Sequence, residues 1–409
     1  MGMKTPKILL AVLTTAALGS AITAVSKAPC RENCQQTDCA AVVAPAVATT
    51  ADPNVPQVNA KAGFLMEANS GKILMEHHAD DRLPIASMTK VATLGVIYDA
   101  LMNGELKMDE MVTVSDYAAS MGGSQAFLDA GSQYSVRDLI QSIVVASAND
   151  SCVALAERIA GTVPNFVEKM NNFAKSVGCQ NTNFVNCTGL PTPGAYSSAR
   201  DMAKMYQRIM QSPHYGDFNH VWMYDLTHPS GRVTGLTNTN KLIRQYEGCL
   251  GGKTGFTNEA GHCLTVAAKR GALQPIAVVI GAPDSKTRFA TARSMLDYAV
   301  NNFENRLLVD KTLPTKTITV KNAVEPTVDV YPARDCYQLT AKGQDPNITI
   351  ATEIPDAVTA PLQPGVTCGK IFVMQDGKVL DEIDAVPNLP VPAATYWDNL
   401  QKLARQSRF

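Results

Sequence analysis

Three short motifs stand in order along this 409-residue chain: Ser87-Met88-Thr89-Lys90, Ser147-Ala148-Asn149 and Lys253-Thr254-Gly255. Together they hold a candidate nucleophile, an amine to take its proton, a second hydroxyl, an amide, a second cation and a glycine. These are the parts of one acyl-transfer site. A fold that uses them must bring a helix start, a loop and a strand to one point across long intervening stretches of chain. Ser-x-x-Lys alone is expected about once by chance in a chain of this length. The signal lies in the order and contexts of all three.

Residues i and i+3 share a helix face. Pro84 precedes the first motif, and Val91, Leu94, Ile97 and Leu101 follow it at helical spacing, so Ser87 and Lys90 are expected as neighbours where a helix opens. Near neutral pH a serine hydroxyl needs an adjacent base. A lysine kept neutral by burial beside other cations can serve, and the free amides of a helix start favour a developing oxyanion. Ser147-Ala148-Asn149-Asp150 falls between two helical runs and reads as a loop that presents a hydroxyl and an amide. The same residues also suit helix N-caps. Ser147 is a candidate proton relay to a leaving amine, and Asn149 a candidate holder of substrate backbone or of Lys90. Lys253 to Thr257 reads as a strand, with Lys253 and Gly255 on one face and Thr254 on the other. Gly255 allows close approach of a ligand, and the strand amides can add an extended peptide as a further strand.

Residues 63–67 and 72–75 flank Asn69-Ser70-Gly71 and predict a hairpin. Helical spacing covers 88–101, 136–146, 152–159, 166–177 and 200–210, the last capped by Ser197 or Ser198. Residues 251–257 and 261–268 predict a second hairpin, 275–280 a strand and 287–301 an amphipathic helix. Strands at both ends with helices between predict an α/β (α+β) class. One antiparallel sheet is assembled from both ends, covered by helices, with a helical lobe beside it. From about residue 305 the pattern alternates, at 316–320, 327–330, 348–350, 370–374 and 379–380, which predicts a small all-β domain over 305–391. The tail, 392–409, places Tyr396, Trp397, Leu400, Leu403 and Ala404 at helical spacing, with Lys402, Arg405 and Arg408 largely off that stripe. Such a helix suits a membrane interface; docking on the β domain is the alternative.

The N-terminus predicts an export signal over 1–28: Lys4 and Lys7, then a charge-free stretch from Ile8 to Val25, then small residues at Ala24, Ser26 and Ala28. An Ala-, Val-, Pro- and Thr-rich linker follows over 29–60. Ten cysteines fit an exported chain. Cys179 with Cys187 and Cys336 with Cys368 are candidate pairs, the pairing of Cys249 and Cys263 is open, and Cys152 suits a buried thiol. A formal net charge of −1 argues against a nucleic-acid binder. The histidines form no ligand-spaced cluster, which disfavours zinc, and neither a metal nor an organic cofactor is expected.

The chain resembles the low-molecular-mass penicillin-binding proteins, serine-type D-alanyl-D-alanine carboxypeptidases. The resemblance is carried by Pro84 to Lys90, Ser147 to Asp150 and Gly252 to Thr257. It is supported by Asn183 to Asn186, Tyr196 to Asp201 and Asn238 to Leu242, and in the β-rich region by Ala360 to Leu362, Gly369-Lys370 and Asp376 to Lys378. The resemblance implies a transpeptidase-like serine peptidase domain over 61–304. It implies Ser87 as the acylated nucleophile and Lys90 as its base, with Ser147 and Lys253 assisting proton transfer and Asn149 positioning substrate. It further implies an oxyanion hole from the amides of Ser87 and Phe256, and Thr254 with Arg288 on the terminal carboxylate. A solvated place in the first turn of its helix is the alternative for Arg288. The implied substrate is the pentapeptide stem of peptidoglycan, with β-lactams as covalent inhibitors, and the implied location is the periplasm or the outer face of the bacterial inner membrane. Two rivals stand beside this reading: a class A-like β-lactamase, for which Glu157 is the nearest candidate carboxylate after Asp150, and a peptidoglycan-binding or shape-determining protein with little catalysis.

Overall fold

The computed structural model describes residues 55–406, with side chains described through Gln401. The expected export signal, most of the linker and Cys30, Cys34 and Cys39 lie outside the described residues.

The centre is a five-stranded antiparallel sheet. Its strands are β1 (Ala62–Glu67), β2 (Ile73–His77), β3 (Cys249–Thr257), β4 (Gly261–Ala268) and β5 (Pro275–Ala282), in spatial order β2-β1-β5-β4-β3. The expected hairpins are β1–β2 and β3–β4. Strand β1, from the N-terminal end, pairs with β5, from the C-terminal end, so the sheet closes the domain from both sides. Strands β1 and β5 are buried almost throughout because both sheet faces are covered. Within β1, Glu67 is fully buried, and its carboxylate accepts from Ser70 N and Oγ, both at 2.7 Å, and from Gln274 N at 3.0 Å. It thereby fixes the hairpin turn against the start of β5.

One face packs on the helix Ser285–Asn302 through Phe289, Ala292, Met295, Leu296 and Ala299. The other meets a helical lobe built from α1 (Lys90–Met102), α2 (Val136–Ala146), α3 (Asn149–Ala160), α4 (Val163–Ser176) and α5 (Ala199–Met210). Helix α1 runs through the middle of the lobe and is buried along most of its length. Ser198 caps α5 by accepting from Asp201 N at 3.2 Å. Sequence reading missed two short ladders in this lobe, 111–113 with 133–135 and 223–227 with 233–237.

Beyond the sheet lies an all-β region. A six-stranded sheet encloses a core of Ile318, Val330, Ile371, Val373, Ile383 and Ala385. Beside it, the strands Phe303–Val309 and Cys336–Ala341, neither expected from the sequence, pair with each other. Lys72 Nζ donates to Leu339 O at 3.3 Å, tying this pair to the rim of the first sheet. The tail forms a helix, Tyr396–Gln406, opened by a reciprocal cap: Asp398 N donates to Thr395 Oγ1 at 3.3 Å and Thr395 N to Asp398 Oδ2 at 2.8 Å.

The expected cysteine pairs do not form. All seven described cysteines are free thiols. The turn between Cys179 and Cys187 is held instead by the buried Asp201, whose Oδ2 accepts from Gln180 N, Asn181 N and Thr182 Oγ1. Cys336 Sγ turns to Asp381 and Cys368 Sγ to Val366 O. Cys249 and Cys263 stand opposite Ala268 and Gly255 respectively, about 17 Å apart along the ladder and beyond disulfide reach.

Candidate active site

Ser87 lies on a 3-10 turn, Ala86–Thr89, rather than in the α-helix itself, and Lys90 is the first residue of α1. Side chains at i and i+3 eclipse in such a turn, which brings Lys90 Nζ to 3.1 Å from Ser87 Oγ. The turn is tight: Ala86 has φ +49°, and Met88 N donates to Ile85 O at 3.2 Å. Two glycines clamp it. A Cβ on Gly255 would sit 2.6 Å from Ile85 O, and one on Gly189 would sit 2.1 Å from Ala86 O. The first motif is therefore pressed between β3 and the loop that carries Gly189.

Lys90 is fully buried, with its amine also 2.7 Å from Asn149 Oδ1 and 2.6 Å from Thr188 O. Burial holds its pKa below the ordinary lysine value, partly offset by the thiols of Cys152 and Cys187 and by Asp150. Lys253, also buried, is depressed further, by burial first and then by the charges of Lys90 and, after the opposing effect of Cys152, Arg288. Its Nζ donates to Thr254 O at 2.9 Å.

Ser147 is a left-handed residue, φ +62°, that ends α2. It caps no helix start. Its buried hydroxyl has no hydrogen-bond partner. Asn149 and Asp150, expected on a loop, open α3. The Asn149 amide bridges Lys90 and Gly122 O, the latter at 2.7 Å. Asp150 makes no hydrogen bond to the Lys90 amine. Its buried carboxylate accepts from Ala126 N at 3.0 Å, Leu128 N at 3.1 Å and Ser151 N at 2.9 Å, stapling the segment over Asn149 to α3.

Thr254 Oγ1 donates to Thr239 Oγ1 at 2.7 Å, and Thr239 N in turn donates to Val145 O at 3.2 Å, next to the second motif. Phe256 is 54% exposed and stacks on His262 with ring centroids 4.3 Å apart. Arg288 is buried rather than solvated; it donates to Gly255 O and Cys263 O, both at 3.2 Å, and its Nε has no partner. Ser87, Lys90 and Asn149 are joined directly, Lys253, Thr254 and Gly255 lie beside them on β3, and Ser147 stands on the chain two residues before Asn149. Phe256 borders this group, and Arg288 supports β3. Strand β3 is an edge of the sheet, so one row of its backbone groups has no strand partner.

Sequence reading assigned no role to Thr188, Gly189 or Thr239. Asn186, Thr188 and Gly189 act together: Asn186 Oδ1 accepts from Thr188 N at 3.1 Å and Gly189 N at 2.7 Å, which presents the Thr188 carbonyl to Lys90. The one available signal was their nearness to motif-like runs at 183–186 and 238–242.

Residues 47–284 match a family profile described as D-alanyl-D-alanine carboxypeptidase. The chain belongs to the D-alanyl-D-alanine carboxypeptidase family. Residues 303–393 match a second profile, the C-terminal domain of penicillin-binding protein 5. Within the family the chain is 39% identical over 324 residues to the D-alanyl-D-alanine carboxypeptidase DacF of Bacillus subtilis strain 168, covering 79% of this chain and 83% of that protein. It is 32% identical to DacC of Escherichia coli K12 over 80% of this chain and 83% of that protein. The crystal structure of penicillin-binding protein 5 from Haemophilus influenzae superposes with a TM-score of 0.65 at 32% identity, over 82% of this chain and 98% of that one.

Proposed function

We propose that this carboxypeptidase hydrolyses the terminal D-alanine from peptidoglycan pentapeptide stems through an acyl-enzyme on Ser87. The observation that carries this is the buried Lys90 amine, 3.1 Å from Ser87 Oγ and fixed by Asn149 and Thr188. In its neutral form that amine takes the serine proton as the hydroxyl attacks the carbonyl of the penultimate D-alanine. The stem lies along the open edge of β3 as an added strand. The amides of Ser87 and Phe256 receive the oxyanion. Ser147, whose hydroxyl has no protein partner, relays a proton to the departing amine with Lys253. Asn149 positions the substrate, and Thr254 with Arg288 receives the terminal carboxylate, for which a guanidinium fork is suited. Water then hydrolyses the ester. β-Lactams acylate the same serine.

The class A β-lactamase rival needs a second carboxylate to activate the deacylating water. Glu157 lies eight residues beyond Asn149 on α3, a rise of about 12 Å, too far to do so.

The charge and apolar pattern of residues 1–28 supports export, to the periplasm or the outer face of the inner membrane. The exposed Tyr396 and Trp397 and the partly exposed Leu400 of the terminal helix support peripheral membrane contact. Among the described residues no helix is long and apolar enough to cross a membrane.

Trapping tests the nucleophile. Incubation with a β-lactam followed by peptide mass analysis is expected to place one adduct on Ser87. An adduct on another serine would overturn the assignment.

A further inference from the structure

A small cavity lies between the Ser87 turn and the tip of the β3–β4 hairpin. Pro84, Ile85 and Ala86 line one wall, Asn186 and Leu190 another, and Thr257 and Glu259 the hairpin side. Its volume, about 30 Å³, admits one water-sized group. Among the described residues Glu259 is the only charged one lining it; it is exposed, and its carboxylate makes no hydrogen bond or ion pair with another described residue.

We propose that Glu259 receives the free side-chain amine of the third stem residue, so that this enzyme prefers stems whose diamino acid is not cross-linked. The inference rests on the proposed function, which sets the direction of the stem. With the terminal carboxylate at Thr254 and the scissile carbonyl at the amides of Ser87 and Phe256, the stem runs antiparallel to β3. Its earlier residues then extend toward Thr257 and the hairpin tip. An added strand advances about 3.3 Å per residue. The residue just before the scissile D-alanine therefore falls beside Thr257, and a diamino-acid side chain leaving it reaches the cavity mouth. An ammonium fits the cavity in size, and the carboxylate of Glu259 complements its charge. A cross-linked or acylated amine has lost that charge and carries a substituent too large for the cavity.

Two pentapeptide stems test this. They are identical except that the third-residue side-chain amine is free in one and N-acetylated in the other. D-Alanine release is measured with the full chain and with Glu259→Gln. The free-amine stem is expected to show a kcat/KM about fivefold higher, mostly through KM, as suits a partly exposed ion pair. In Glu259→Gln the two stems are expected to become equal. The comparison is made within each protein, so a partly unfolded variant does not distort the ratio. Equal rates in the wild type, or a preference that survives Glu259→Gln, would overturn the inference while leaving the carboxypeptidase reading intact. Release from neither stem by the wild type would overturn that reading itself, and the inference with it.

Discussion

At the scale of single residues, the site is governed by what burial does to two lysines. Taking an amine out of water disfavours its charged form, and both Lys90 and Lys253 respond by titrating below the ordinary value of 10.5. The sign of the consequence is fixed. If Lys90 is the base proposed above, the neutral amine accumulates as pH rises through its depressed pKa, and the acylation rate is expected to climb with pH and level off before 10.5. A pH profile of kcat/KM is expected to show this limb. Lys90→Arg keeps the charge but cannot become neutral, and acylation is expected to fall by about a thousandfold. The same depression affects stability. Between the folded pKa and 10.5 the unfolded chain holds more protons, so these two residues make the fold more stable as pH rises through that window and less stable as pH falls. Asp150 acts differently, because it organises backbone rather than chemistry. Asp150→Ala leaves the amides of Ala126 and Leu128 without their acceptor and is expected to cost about 2–4 kcal/mol in urea unfolding. A variant as stable as the wild type would show that the segment is held by other contacts.

At the scale of elements, the long units were legible and the short ones were not. Strand β5 carries a continuous apolar run because both its faces are covered, and α4 shows clear periodicity because only one side, with Phe166, Met170, Phe173 and Ala174, is buried; both read directly from the sequence. The ladders 111–113 with 133–135 and 223–227 with 233–237 are too short to establish a period. The strand 303–309 mixes charged, polar and apolar residues without alternation. The three motifs were visible, but their supports were not. Thr239 reaches Thr254 through a contact that only the tertiary fold creates. Gly189 matters for a neighbour distant in sequence. The cysteines misled because an export context favours disulfides, whereas here each thiol is satisfied by burial or by a local oxygen. The glycine clamp gives a direct test. In Gly189→Ala, with φ +81°, the new methyl collides with the Ala86 carbonyl and displaces the Ser87 turn. Acylation by a β-lactam is expected to slow by about a hundredfold. A near-native rate would show that the turn does not depend on this contact.

At the scale of the whole molecule, two chemistries are kept apart. The motif cluster sits between the sheet and the helical lobe, while the β region ends in a helix that shows Tyr396 and Trp397 to solvent, their rings 5.8 Å apart. The bridges of Ala323 with Ala393 and Leu362 with Val391 fasten the base of that helix to the β region. Removal of residues 395–409 is expected to abolish sedimentation with anionic lipid vesicles while D-alanine release in solution continues. Vesicle binding that survives the truncation would assign membrane contact elsewhere. The measurement that bears most directly on the whole account is D-alanine release from a pentapeptide ending in D-Ala-D-Ala, with the wild type beside Ser87→Ala. Release by the wild type alone, with both proteins folded, is the expected result. Comparable release by Ser87→Ala would contradict it.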